Sequence, residues 1–564
     1  MNPFSLAYRE QQQLFLYTKE YISDTLLQPG GLSGLAGRFI VQFFGNPAVA
    51  LILTVCCLLA IAWILRKHSP LILAPIMLLA ASLGDPDLHF DIVPAIFMAS
   101  LSFTAWVKSG KRVLSGILLS ALLFPLAGSA SLLFALCALA YGIANRETLL
   151  HAAITLAAAL ATAFTAYLLL ATPTFLISLT PEFFYNPGET MPAGHLVCWF
   201  AFPAAILIAE SIGRIPRKPY ALIASGVLTL ACIPAAIALS GKLANPVMKH
   251  IYRMSHYVAC RNWDALEKAS KPYVLYPIAA NYYHLAKSCK GTLMQDMFRY
   301  PHNGPSDLIY VPDDKTANHA LPYVLYHIGN MAGAQNVAYN VVFTSTGYNP
   351  ALLKMLADID IMRGSYEVAG KYLDILSHSL FYRKWALERK RYLHNDSLVE
   401  SNPELGRGRA DFPDSYGFAL YGSPMDELFA ILRTNQSDPA AMEYGLAYLL
   451  LAKDIRHTAR FIKEFYGSPA LKKLPEYAQE ALVFFADYQR NVEKNPEFDY
   501  LDFDWCRSHG VEEKTITRLI DFQQSCVKNK GKAPARYAGS FWYYLIYVNN
   551  DAANAGSAER KSVY

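Results

Sequence analysis

Residues 47–240 form a nearly continuous apolar tract, and its few charges arrive in clusters. A span needs roughly 17–25 apolar residues to cross a bilayer. The tract divides into about eight such segments, at about 47–65, 70–84, 89–107, 113–126, 130–144, 148–172, 194–212 and 219–240. Three of these are short, so they must be tilted or partly re-entrant. The tract holds nine Lys or Arg: Arg66, Lys67, Lys108, Lys111, Arg112, Arg146, Arg214, Arg217 and Lys218. All nine fall on alternate connections. The positive-inside rule puts those connections in the cytoplasm. The intervening ones carry Asp85, Asp87, Glu182 and Glu189 instead and face outward. Residues 1–46 and 241–564 then lie outside.

The second half has ordinary soluble composition, which dilutes the whole chain to 53% hydrophobic. A net charge of +5 without a concentrated basic surface excludes nucleic acid as a partner. The expectation is an all-α, polytopic membrane protein of a bacterial inner membrane. Residues 1–46 are outer interfacial helices, 47–240 the membrane domain, 246–550 a periplasmic helical domain and 551–564 a disordered tail. No signal peptide or earlier span carries residues 1–46 outward. Either a short tail is translocated unaided, or a first helix precedes residue 1. Arg9-Glu10 sits where a membrane-exit residue would, which favours the second reading.

Residues 11–27, QQQLFLYTKEYISDTLL, and 33–44 are amphipathic and aromatic-rich, the pattern of helices lying in the interface plane. A plain interfacial lid explains them equally well. The connection GDPDLHFD (84–91) is sharper, gathering Asp85, Asp87, His89 and Asp91. Ionisable groups at membrane depth are costly and often functional. Carboxylates at i and i+2 with an imidazole suit a divalent cation or an acceptor group. Helix capping competes with that reading, because Asp-Pro is an N-cap followed by Pro at the first helical position. The outer connection 173–193 has the length and aromatic content of a substrate-facing loop.

Beyond residue 246, helical patterns alternate with short breaks. Three stretches resemble the helix–turn–helix unit of tetratricopeptide repeats: 262–286, 355–376 with its turn at Gly364, and 448–469 with its turn near Asp454. Stacked pairs of that kind offer a concave surface to partners. The irregular segments 297–305 (MFRYPHNGP), 401–418 and 495–510 interrupt the pattern. The first and last are aromatic and charged, as expected of segments that dock onto a ligand or the membrane domain. Cys260–Cys289 and Cys506–Cys526 could bridge locally in an oxidising compartment; simple burial is the other reading.

REQQQLF (9–15), PGGL (29–32), QFF (42–44), MFRYP (297–301) and FYRKWA (381–386) resemble a family of polytopic membrane proteins of Bacteroidota that carries no established activity. Its members begin with an extra hydrophobic helix, in line with the first helix expected above. In layout the chain also resembles type-C membrane glycosyltransferases, which have an acid in a first outer loop and an acidic pair in the next. Some of those end in tetratricopeptide repeats. The Trp-Trp-Asp-Tyr-Gly signature of the asparagine-linking branch is absent. The resemblance implies transfer of a polyprenyl-phosphate-linked sugar to an envelope protein or glycan. Glu10 would act as base or acceptor-orienting group, and Asp85 and Asp87 would assist or hold a divalent cation, with His89 nearby. Arg9 and Arg38 would contact the lipid phosphate, since guanidinium pairs with it bidentately. Interfacial anchoring accounts for either arginine as well. A non-enzymatic helical scaffold for envelope proteins, embedded in the lipid bilayer, is the alternative. A transporter fits less well, because no span has a buried ionisable pair near its middle and no inverted repeat is evident.

Overall fold

A computed structural model describes residues 2–66, 70–170, 174–185, 191, 193–212, 247–311, 319–344, 348–412, 424–491, 501–532 and 534–548, with isolated helical positions between 227 and 238. The described residues are helical throughout, with no strand among them. The chain divides into two compact units. The first comprises Met1–Arg253, Val342–Leu353 and Leu373–Arg389; the second comprises Met254–Val341, Lys354–Tyr372 and Lys390–Tyr564. The expected span 219–240, the acid Glu189, and the segments 413–418, 495–500 and 551–564 lie largely or wholly outside the described residues.

In the first unit, short helices α1 (Pro3–Tyr8), α2 (Lys19–Leu27) and α3 (Gly31–Val41) precede the apolar bundle. The bundle contains α4 (Pro47–Leu65), α5 (Leu73–Ser82), α6 (Ile92–Lys108), α7 (Arg112–Ala127), α8 (Ala130–Ala144), α9 (Leu149–Leu170) and, after α10 (Phe175–Leu179) and α11 (Pro181–Tyr185), α12 (Ala193–Ile212). Three stretches are long and apolar enough to cross a membrane: Pro47–Leu65, Arg146–Leu169 and Ala193–Ser211. Four further apolar helices, α5 to α8, are shorter.

Local chemistry explains the boundaries. Asn46 caps α4 by accepting from Ala48 N at 2.9 Å, and Pro47 occupies the first position, where no amide partner is required. Apolar residues cover α4 on every side, so Ile52, Leu59 and Trp63 are left exposed while Ile61 and Leu65 are buried. Small residues bring helices close together. Ser120 Oγ of α7 donates to Thr155 O of α9 at 3.3 Å, as expected of helix pairs in an apolar surrounding.

The second unit uses one connection repeatedly. The residue after a helix turns left-handed, and the amide that follows closes back onto the carbonyl five positions earlier. This occurs at Asn262→Tyr257, Thr292→Lys287, Asn330→Leu325, Ser365→Asp360 and Asp454→Leu449, with bonds of 2.8–3.0 Å. Three of these closing residues also begin the next helix, because the Asn262, Asn330 and Asp454 side chains cap Ala265, Gly333 and His457. One residue thus ends a helix and starts its successor. Most left-handed positions are Gly, such as Gly329 and Gly364, but Arg261 (φ +52°) and Lys453 (φ +58°) adopt the same geometry.

Two expectations fail here. The MFRYPHNGP segment builds the core of its own unit. Phe298 packs against Tyr477, Phe541 and Tyr544, while buried His302 lies 3.2 Å from Asp307 Oδ2 and 2.6 Å from Met297 O. His302 bonds to the loop's own backbone, while Phe298 fills the core. Neither local disulfide forms: Cys260, Cys289, Cys506 and Cys526 are all free, and Cys260 is exposed.

Candidate functional site

The connection Gly84–Asp91 is held by side chains from four other parts of the first unit. Arg9 is completely buried, and its guanidinium donates to Leu88 O (3.0 and 3.1 Å), Ser5 O (3.3 Å) and Asp85 O. Burial lowers the Arg9 pKa to about 10, against the charges of Asp85 and Asp87. Its planar fork matches several carbonyls of one short loop, which a lysine could not do. Arg9 therefore shapes the loop, with Nε, Nη1 and Nη2 each donating to a carbonyl.

Asp85 does two things. Its Oδ1 accepts from Asp87 N at 3.1 Å and fixes a turn; the helix expected to start at Pro86 does not form, since α6 begins at Ile92. Its Oδ2 lies 3.1 Å from Nε2 of His195, near the start of α12, and that ring is 1% exposed. The other ring nitrogen, Nδ1, is buried without a hydrogen-bond partner among the described residues. An imidazole fixed by a carboxylate at one nitrogen, with the other nitrogen open, is the arrangement that orients a general base. Asp87 faces Gln12, whose Nε2 is 3.5 Å from Oδ1.

Glu10 points elsewhere. Tyr382 OH donates to its Oε1 at 2.6 Å and Gln11 Nε2 donates to its Oε2. It lines a small pocket with Gln13, Leu14, Phe15, Gln42 and residues 379–382. Neither Asp85 nor Asp87 lines that pocket, so the expected partners occupy separate settings.

Asp91, the last acid of the motif, is the most enclosed. Gly37 of α3 lies against it so closely that a Cβ there would fall 2.3 Å from Asp91 Oδ1. Arg38 Nε stands 3.9 Å from Asp91 Oδ2, and His89 Nδ1 4.0 Å from it. Burial opposes the Arg38 charge, but Asp91 and Tyr21 outweigh it and raise the pKa. Asp91 Oδ1 has no hydrogen-bond partner among the described residues, and neither amide atom of neighbouring Gln13 has one. His89 is anchored through its backbone, its N–H donating to Tyr185 O at 2.8 Å.

A divalent cation does not fit this donor set. Both Asp85 oxygens are engaged, and no group of three or more His, Cys, Asp or Glu among the described residues could hold a metal. Sequence reasoning overlooked His195, Gln13 and Tyr382 and passed over Asp91. His195 could have been flagged as an ionisable residue at the start of an apolar helix.

A family model described as "Family of unknown function (DUF6057)" matches residues 1–548. The chain belongs to that family. Comparison with curated proteins and with solved structures returned no match. The matched residues extend over both units. REQQQLF, which carries Arg9 and Glu10, lies within the matched region.

Proposed function

We propose that the chain is a polytopic protein of a bacterial inner membrane, of Bacteroidota type, that transfers a sugar from a polyprenyl-phosphate donor on the outer face. The observation that supports this reading best is the Asp85–His195 pair, whose second imidazole nitrogen is buried and has no hydrogen-bond partner among the described residues. Unsatisfied buried polar groups are uncommon and call for a ligand or a catalytic role. In the transfer, His195 Nδ1 takes the proton of an acceptor hydroxyl, and Asp85 stabilises the resulting imidazolium. The acceptor oxygen bonds to the anomeric carbon as the bond to the donor phosphate breaks, and the electron pair leaves with the lipid phosphate. General-base help of this kind is worth about 10²–10⁴ in rate. Glu10, held by Tyr382 in a separate pocket, contacts the acceptor away from the reacting hydroxyl, and Arg38 is the cation nearest Asp91 with part of its side chain exposed. The second unit serves as a tetratricopeptide-like periplasmic domain that presents the envelope protein or glycan.

The alternative reading is a membrane-anchored scaffold that recruits envelope proteins through those helix pairs. It is favoured by the burial of Arg9 and its bonds to backbone carbonyls. The test replaces His195 by Gln, Asp85 by Asn, Asp87 by Asn and Glu10 by Gln, one at a time, and compares surface glycans and glycoproteins at equal protein levels. Group transfer requires the His195→Gln and Asp85→Asn strains to lose glycosylation. Unaltered glycans in both strains would leave the scaffold, to be tested by capture of partners on the full chain.

A further inference from the structure

The segment Leu380–Arg389 lies far along the chain, yet it is part of the first unit. Three large apolar side chains there are exposed: Leu380 at 51%, Phe381 at 56% and Leu387 at 49%. Arg383 and Lys384 are exposed alongside them. Lys384 and Leu387 are spaced three apart on the helix Arg383–Arg389 and share a face, with Leu380 and Phe381 in the turn before it. Trp385 sits behind that face, with the Arg389 guanidinium 5.6 Å from its ring centroid.

The segment is tied to the entrance of the membrane bundle. Phe381 meets Phe43 edge-on at 5.6 Å, and Phe43 meets Phe39, which meets Phe15, at 5.8 and 5.5 Å. Tyr17 N donates to His378 O at 2.8 Å, and Tyr382 reaches Glu10. Phe43 precedes Asn46, the cap of α4, by three residues. This row of rings therefore stands at the outer end of a helix long enough to cross a bilayer, where aromatic residues gather at the headgroup level.

We infer that Leu380–Arg389 is an interfacial anchor: Leu380, Phe381 and Leu387 enter the outer leaflet, and Arg383 and Lys384 pair with anionic lipid headgroups. Basic residues around an exposed apolar face give the charge complementarity that an anionic bilayer surface requires. Continuity with the aromatic row at α4 sets the segment at headgroup depth. This inference rests on the membrane reading above, but not on any catalytic activity.

The experiment uses the full chain in lipid nanodiscs, with p-benzoylphenylalanine replacing Leu387, and reads photo-adducts by mass. Leu59, exposed on α4, is probed in parallel as the membrane control, and Val368 as an aqueous control. Phospholipid adducts at positions 59 and 387 but not at 368 are expected. In discs containing anionic lipid, Arg383→Glu with Lys384→Glu should lower the adduct yield at 387 by at least about fivefold, since each charge near such a surface contributes on the order of 1 kcal/mol. Adducts at 59 with none at 387, or protein–protein adducts at 387, overturn the inference and leave the membrane reading intact. No lipid adduct at either position overturns both. Equal yields at 387 before and after charge reversal overturn the anionic-lipid assignment.

Discussion

Both units bury carboxylates, but they handle them differently. In the second unit, buried acids accept from backbone amides, some close in the chain and some far. Asp307 Oδ2 accepts from Asn303 N at 2.8 Å, Asp438 Oδ1 from Ala440 N at 2.8 Å, and Glu480 Oε2 from Phe541 N at 2.7 Å. In the first unit, the acids of one short connection meet side chains from distant parts of the chain. Asp85 meets His195, and Asp91 faces Arg38, His89 and Gln13. An acid bonded to nearby amides fixes a turn. An acid facing an imidazole from a distant part of the chain can also handle a proton, and Asp85 with His195 is such a pair.

The strongest way to break the contrast is Arg9→Met. Deleting a wholly buried guanidinium leaves the carbonyls of Leu88 and Asp85 without donors, so the cost should be about 3–5 kcal/mol. It should be read as lower folded yield and as proteolysis within 84–91. Arg9→Lys should recover only part of the loss, because an ammonium lacks the fork. Next comes Gly37→Ala, whose Cβ collides with Asp91. A loss of about 1–3 kcal/mol is expected in denaturant unfolding, whereas alanine at exposed Gly110, which has open space, should be tolerated.

The second unit gives a pH test. Burial, and then the charge of Asp438, raise the Asp411 pKa to about 7. The unfolded carboxyl titrates near the ordinary value of about 3.9. Between those values the folded chain holds a proton that the unfolded chain releases, so stability falls as pH rises through that window. Asp411→Asn should flatten the decline measured by unfolding at pH 5 and pH 8. Glu480, also raised to about 7 by burial, supplies a residual slope. The smallest effect concerns backbone geometry. Lys530 is exposed at φ +53°, and Lys530→Gly should stabilise the fold by about 0.5–1 kcal/mol through relief of the left-handed strain.

Much of the helical framework was legible in the chain because caps and hydrophobic runs are local. Asn46-Pro47, Asn262 and Asp454 announce the helices they begin, and the expected segments 47–65 and 130–144 coincide with α4 and α8. The candidate site was only half legible. GDPDLHFD stood out by composition, but its decisive partner, His195, lies 110 residues away, and Tyr382 lies 372 residues from Glu10. No periodicity encodes such pairings. MFRYPHNGP misled for the opposite reason: aromatic and charged residues suggest a binding surface, whereas here Phe298 is buried against Tyr477, Phe541 and Tyr544 and His302 bonds to the Met297 carbonyl.

Cys260 provides the most direct test of the central claim, that the Gly84–Asp91 connection and the C-terminal half share the outer side of the membrane. Its side chain is exposed and forms no disulfide. In a variant whose other cysteines are Ala, a membrane-impermeant maleimide added to intact spheroplasts should label Cys260, and should also label Asp87→Cys in a Cys260→Ala background. Labelling of Cys260 only after lysis would put the helical half in the cytosol and contradict the account.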